Sequence, residues 1–190
     1  MAMGSGLIVL IVFVVIIVLF ILWFLGTYNS LISMRNYVKN AWAQIDVQLK
    51  RRHDLIPNLI ETVKGYAKHE SGTFEAVTKA RTSAMQANGI DAKAKAEGEL
   101  SGVLSRLMMV AEAYPELKAN QNFMQLQEEL TSTENKISFS RQAYNDQVMH
   151  YNTRVQSIPA NIVAGIGGFT AMDLFELNDA AQREAPQVKF

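Results

Sequence analysis

The sequence contains no cysteine, which excludes a disulfide framework and any cysteine-held metal cluster. It has no excess of either charge, because 18 basic residues meet 18 acidic ones. Without net charge there is no global field to draw the chain onto nucleic acid, so a basic patch would have to act locally. Proline occurs only four times, and Gly and Pro are sparse before residue 157, so few positions force a helix to end. Long strictly alternating apolar and polar runs are missing, which argues against a sheet with one wet face. A glycine loop of the phosphate-binding type, a G-x-S-x-G elbow and an H-E-x-x-H pair are missing too, although Glu70 follows His69. Of the three histidines, His53 and His69 are 16 apart, about 160° around a continuous helix, whereas a helical metal pair has four-residue spacing. No catalytic, metal or cofactor site is therefore expected, and no nucleic-acid partner.

What the chain does have is concentrated at the front. Leu7 to Leu25 is a run of 19 apolar residues, which as a helix rises about 28 Å, close to the thickness of a bilayer core. A cleaved signal peptide would carry a basic stretch before a shorter apolar run and a small-x-small cleavage site after it. Residues 1–6 carry no side-chain charge and Gly26-Thr27-Tyr28-Asn29 is a poor cleavage site, so the run is expected to be an uncleaved single-pass anchor. No basic residue precedes it, whereas Arg35, Lys39, Lys50, Arg51 and Arg52 follow. By the positive-inside rule the amino terminus is expected outside and the main domain in the cytoplasm.

Beyond residue 27 the composition and periodicity are helical. From Asn122 to Ser157, Phe123, Leu126, Leu130, Thr133, Ile137, Ser140, Tyr144 and Tyr151 occupy heptad-like positions, a narrow stripe that implies a bundle or coiled-coil partner. Ala92 to Tyr114 repeats the pattern on Leu100, Val103, Leu107 and Val110. There Ala94, Gly98 and Gly102 form a small-residue row expected to permit a close helix crossing. Asn88-Gly89-Ile90-Asp91 reads as a stop followed by a start capped by Asp91. Between residues 28 and 87, Val38, Trp42, Ile45, Leu49, Arg52, Ile56, Leu59, Val63 and Tyr66 keep a 3,4 spacing without a slip. Asp54, however, is a good N-cap, and Pro57 would then sit harmlessly in a first turn instead of costing about 3 kcal/mol in a helix interior. A break near Arg52 to Asp54 is expected, giving four helices that alternate in direction.

Such a bundle returns its last helix to the membrane surface. Arriving there is an apolar, Gly-rich tail with no charge before Asp173, in which Ile158, Ile162, Val163, Ile166 and Phe169 are candidates for an oligomer or membrane contact. A second candidate surface is Lys50-Arg51-Arg52-His53-Asp54, which reads either as a solvated helix end or as a partner-binding patch. Tyr144-Asn145 and Tyr151-Asn152 repeat at seven residues, with Tyr28-Asn29 as a third copy. They suggest polar handles for hydrogen bonds between helices.

Together these segments resemble the LemA family. The resemblance rests on Tyr28-Asn29, Arg35-Asn36, the run from Ala41 through Trp42 and Lys50 to Leu59, Glu61 to Tyr66, Ala80-Arg81 and Ala113-Tyr114-Pro115. It continues through Leu126-Gln127, Thr133 to Lys136, Arg141-Gln142, the Tyr-Asn pairs, Gly168-Phe169 and Phe175-Glu176, and closes on Pro186, Val188 and Phe190. The resemblance implies a bacterial membrane protein with an antiparallel four-helix bundle and no known reaction. Relatives encoded beside membrane zinc proteases or other envelope proteins suggest a scaffold or adaptor.

The expected fold is all-α: a transmembrane helix in residues 1–27, a helical bundle over 28–157, and a tail over 158–190 that folds back toward bundle and membrane. The expected role is a non-enzymatic, self-associating scaffold in the inner membrane of a bacterial cell. Its partners would be the lipid bilayer, copies of itself and possible envelope proteins. An accessory subunit of a membrane protease is the alternative.

Overall fold

The computed structural model describes residues 2–67 and 69–176. Within these it contains six helices and no strand: α1 (Ala2–Lys64), α2 (Ser71–Gln86), α3 (Ile90–Glu112), α4 (Pro115–Lys118), α5 (Gln121–Gln156) and α6 (Ala160–Ile166). The closing Pro186, Val188 and Phe190 lie outside the described residues.

The chain forms two compact units, one of Met1–Ala41 with Tyr144–Asp173, the other of Trp42–Ala143 with Leu174–Phe190. The second unit is the antiparallel four-helix bundle. Its core joins Ile56, Leu59, Ile60 and Val63 of α1, Phe74, Val77 and Ala84 of α2, Leu100, Leu104, Leu107 and Ala111 of α3, and Phe123 and Leu130 of α5. Of the heptad stripe of α5, Phe123, Leu130, Thr133, Ile137, Tyr144 and Tyr151 are buried, with Val148 completing the row, while Leu126 and Ser140 are half-buried. Short connections suffice because consecutive helices are neighbours. Gly89 has φ of +85° and precedes Ile90, a conformation that glycine adopts without the cost a β-carbon imposes. Asp91 lies in the first turn of α3, where it complements the dipole; it is not the capping residue expected.

The first unit holds the apolar run. Leu7 to Leu22 and Leu25 are exposed along α1, a surface that water does not tolerate and lipid does. Among the described residues, α1 is the one helix long and apolar enough to cross a membrane, with mean hydropathy 3.7 over its best window.

The expected break near Arg52 to Asp54 is absent. α1 continues for 63 residues with Pro57 inside it and ends at Lys64, before α2 begins at Ser71. The bundle's first helix is therefore a continuation of the anchor helix, and Asp54 is a mid-helix residue, not a cap. A proline at position 57 cannot donate to the carbonyl of His53, the acceptor one turn earlier. Here the Arg81 side chain takes that place, with Nε donating to His53 O at 2.7 Å. The helix passes through the proline because a neighbouring helix supplies the missing donor.

Candidate functional site

The five residues Lys50 to Asp54 occupy more than one full turn of α1, so they cannot share a face. Lys50, Arg51 and Asp54 are exposed, whereas Arg52 is 1% exposed and His53 is buried. The patch anticipated from the sequence is thus split between surface and core. The inward pair builds a polar site within the bundle.

Arg52 is held on several sides. Its guanidinium donates to Ser101 Oγ at 2.9 Å, to Glu134 Oε2 at 2.6 Å and to the Glu97 carboxylate. Glu97, 4% exposed, places its other oxygen 2.9 Å from His53 Nε2. Burial by itself pushes the Glu97 carboxyl up. The adjacent His53 imidazole, the Arg52 charge and the Arg52 hydrogen bond outweigh that, and Glu97 is held below its ordinary value. The arrangement ties α1, α3 and α5 together through one cation and two carboxylates. Its chemistry is that of an ion network buried at Arg52 and Glu97 and open to solvent at Glu134. Around the rim, Lys93 Nζ sits 2.7 Å from Asp46 Oδ1 and 5.3 Å from the Trp42 ring centre, while Arg51 and Glu129 are 3.7 Å apart at the surface.

Sequence reasoning missed Glu97 and Arg81 as members of this site. Glu97 did carry a signal. It lies three residues from both Ala94 and Leu100 and seven from Leu104, so a carboxylate sits within the apolar face of α3 and demands a buried cation. The small-residue row on α3 behaves differently from expectation: Ala94 is buried, but Gly102 is exposed and a β-carbon there would meet nothing within 4 Å. A close crossing does not explain Gly102.

In the first unit one member of each Tyr-Asn pair contacts the segment that follows α6. Tyr144 Oη donates to Asp173 O at 2.9 Å, and Asn152 both donates to Met172 O at 2.8 Å and accepts from Met172 N at 2.9 Å. Tyr28 meets Phe169 edge-on, with ring centres 5.4 Å apart, and the Arg35 guanidinium lies 5.1 Å from the same ring. All three copies hold the segment that follows α6. Burial, reinforced by the nearby Asp173 charge, raises the Tyr144 hydroxyl to about 12. Close approach at the turn needs glycine: a β-carbon on Gly167 would stand 2.5 Å from Phe169 Cε2 and 3.0 Å from Tyr28 Cε2. Of the tail candidates, Val163 and Phe169 are buried, while Ile158, Ile162 and Ile166 are exposed.

His69 and His150 are exposed and take no part in either site. Among the described residues no group of three or more His, Asp or Glu side chains is arranged to hold a metal ion.

The exposed apolar length of α1 and the helical bundle that continues from it define a membrane-associated helical protein. The chain belongs to the LemA family, whose sequence profile matches residues 41–190. It is 24% identical to the magnetosome protein MamQ 2 of Paramagnetospirillum magneticum, over 78% of this chain and 64% of that protein. It is likewise 24% identical to protein LemA of Metamycoplasma hominis, over 74% of this chain and 65% of that protein. The magnetosome protein MamQ of Magnetospirillum gryphiswaldense is 23% identical, over 78% of this chain and 64% of its own length. The chain thus spans a little under two thirds of the curated relatives it matches.

Proposed function

We infer that this protein is a non-enzymatic, single-pass membrane scaffold of the bacterial inner membrane, with its amino terminus outside and its helical domain in the cytoplasm. In this reading residues 1–27 anchor, 28–157 form the working bundle and 158–190 form a tail associated with both. The observation that carries it is the continuity of α1, in which an exposed apolar span and a wall of the bundle core are the same helix. Such a helix displays a folded body at the membrane without a linker. Two relatives are named as magnetosome proteins, which supports a role in an assembly.

Self-association is part of the proposal. Its support is apolar surface outside the span: Phe139 is 72% exposed on α5, and Met124 is exposed on the same helix. The particle size of the full-length chain in lipid nanodiscs or mild detergent tests it. An assembly of defined symmetry is expected, and a strictly monomeric particle overturns it.

The adaptor reading relies on the outward part of the Lys50 to Asp54 segment, where Lys50, Arg51 and Asp54 present both charges to solvent. Reversing Lys50 and Arg51 leaves the buried Arg52 untouched. Loss of a co-purifying envelope protein would favour this reading, and unchanged co-purification would remove it.

A further inference from the structure

Helix α6 is short, but its two faces differ sharply. Ala160, Val163 and Ala164 pack inward. Ile158, Ile162 and Ile166, at four-residue spacing, point outward and are 84%, 60% and 71% exposed. Ile162 and Ile166 lie about one turn apart on α6 and Ile158 stands just before it; three exposed β-branched side chains clustered in nine residues are not scattered surface hydrophobics. Their surroundings lack charge as well: no ionisable residue lies between Arg154 and Asp173.

The row is fixed next to the membrane span of its own unit. Phe169, three residues beyond Ile166, is seated against Tyr28, and Tyr28 is three residues beyond Leu25. At 1.5 Å per residue, Tyr28 stands about 5 Å past the end of the apolar run, the depth of the headgroup layer. Arg35 adds a cation beside the same ring, as suits a surface with anionic lipids.

We propose that α6 is an interfacial foot: Ile158, Ile162 and Ile166 insert into the headgroup and acyl boundary of the same bilayer that α1 crosses. The occupant of this face is lipid and not a second copy. The three side chains offer roughly 400 Å², about half of the 800 Å² per partner that a stable dimer needs. An amphipathic segment without charge, next to a span, instead matches the interfacial layer in polarity and depth. The foot deepens the membrane-scaffold reading and rests on it. It fixes the tilt of α1 by a second point of contact and turns the Tyr-Asn handles into the parts that hold the foot in place.

The absence of cysteine makes the test direct, because each introduced thiol is unique. The full-length chain would be reconstituted in vesicles of phosphatidylcholine and phosphatidylglycerol with single substitutions Val15→Cys, Tyr37→Cys, Ile162→Cys or Ile166→Cys. Each would carry a bimane label and be quenched by iodide in water or by spin-labelled lipids, one labelled near the headgroup to report on Ile162 and Ile166 and one deep in the acyl chain to report on Val15. All four positions are exposed, so the fold is not at issue. The expected result is lipid quenching at Ile162 and Ile166, with iodide quenching about threefold weaker than at Tyr37, which lies about 18 Å beyond Leu25 along α1. Iodide quenching equal to that at Tyr37 overturns the foot. Shielding from both quenchers, together with disulfide cross-linking between copies, also overturns it and assigns the face to a second copy. Val15 separates the two readings: lipid quenching there with none at α6 defeats the foot alone, and none at Val15 removes span and foot together.

Discussion

At the scale of single residues, the decisive chemistry is how buried polar groups find partners. Pro57 leaves the His53 carbonyl without its helical donor, and Arg81 supplies one from α2. Arg81→Ala therefore orphans a part-buried acceptor and is expected to cost about 1 kcal/mol. Pro57→Ala restores the backbone donor, so the two changes should be strongly coupled. In a double-mutant cycle read by denaturant unfolding, Arg81→Ala costs clearly less in the Pro57→Ala background. Additive effects would show that Arg81 acts elsewhere. Glu97 sets a second test. Glu97→Gln leaves the Arg52 cation short of one carboxylate, with Glu134 retained, and is expected to cost about 3 kcal/mol. The pH dependence has a definite sign. The Glu97 carboxyl is held below its ordinary value of 4.5, so the unfolded chain takes up that proton at higher pH than the folded one. Stability from the network is full above pH 4.5 and is lost as the pH falls through the lower folded value. The unfolding midpoint of the parent should drop on acidification below that point, and that of Glu97→Gln should drop less.

At the scale of elements, periodicity was the most legible signal. The stripe of α5 on Phe123, Leu130, Thr133, Ile137 and Tyr144 follows from spacing alone, because a narrow buried seam leaves its period in the sequence. The 3,4 register of α1 was visible for the same reason and correctly ran without a slip past Pro57. The expected break follows from a local proline penalty that tertiary contact removes. Arg81, 28 residues further on, cannot be recognised as the compensating donor before helices α1 and α2 are paired. The same distance in sequence hid the joining of Arg52 to Glu97 and Glu134, and of Asn152 to Met172. Helix α3 offers a check on the small-residue row. Gly102 lies in the helix interior with open space at its β-carbon position, so Gly102→Ala should stabilise by up to about 1 kcal/mol. That corresponds to a rise in Tm of about 2–4 °C by scanning calorimetry. A fall in Tm would mean that another surface, such as a second copy, approaches Gly102 closely.

At the scale of the whole molecule, neutral net charge conceals an uneven distribution, and the orientation of the anchor depends on that distribution. Nothing basic precedes Leu7, and Arg35 and Lys39 are the first cations after Leu25. They are not equivalent. Arg35 is committed to the Phe169 ring, so replacing it would disturb the tail as well as the charge balance. Lys39 is exposed, and β-carbons at Gly4 and Gly6 would meet nothing within 4 Å, which leaves three positions where charge can be moved without changing packing. Combining Gly4→Lys, Gly6→Lys and Lys39→Gln places two cations before the span and removes one after it. If the basic residues set the topology, a fraction on the order of tens of per cent of the molecules should insert inverted. A Met149→Cys reporter, exposed on α5, reads the outcome with a membrane-impermeant maleimide applied to intact cells. The reporter should stay unlabelled in the parent and become labelled in that fraction of the charge-moved variant. Full labelling in the parent without permeabilisation would place the helical domain outside and reverse the orientation proposed for the scaffold.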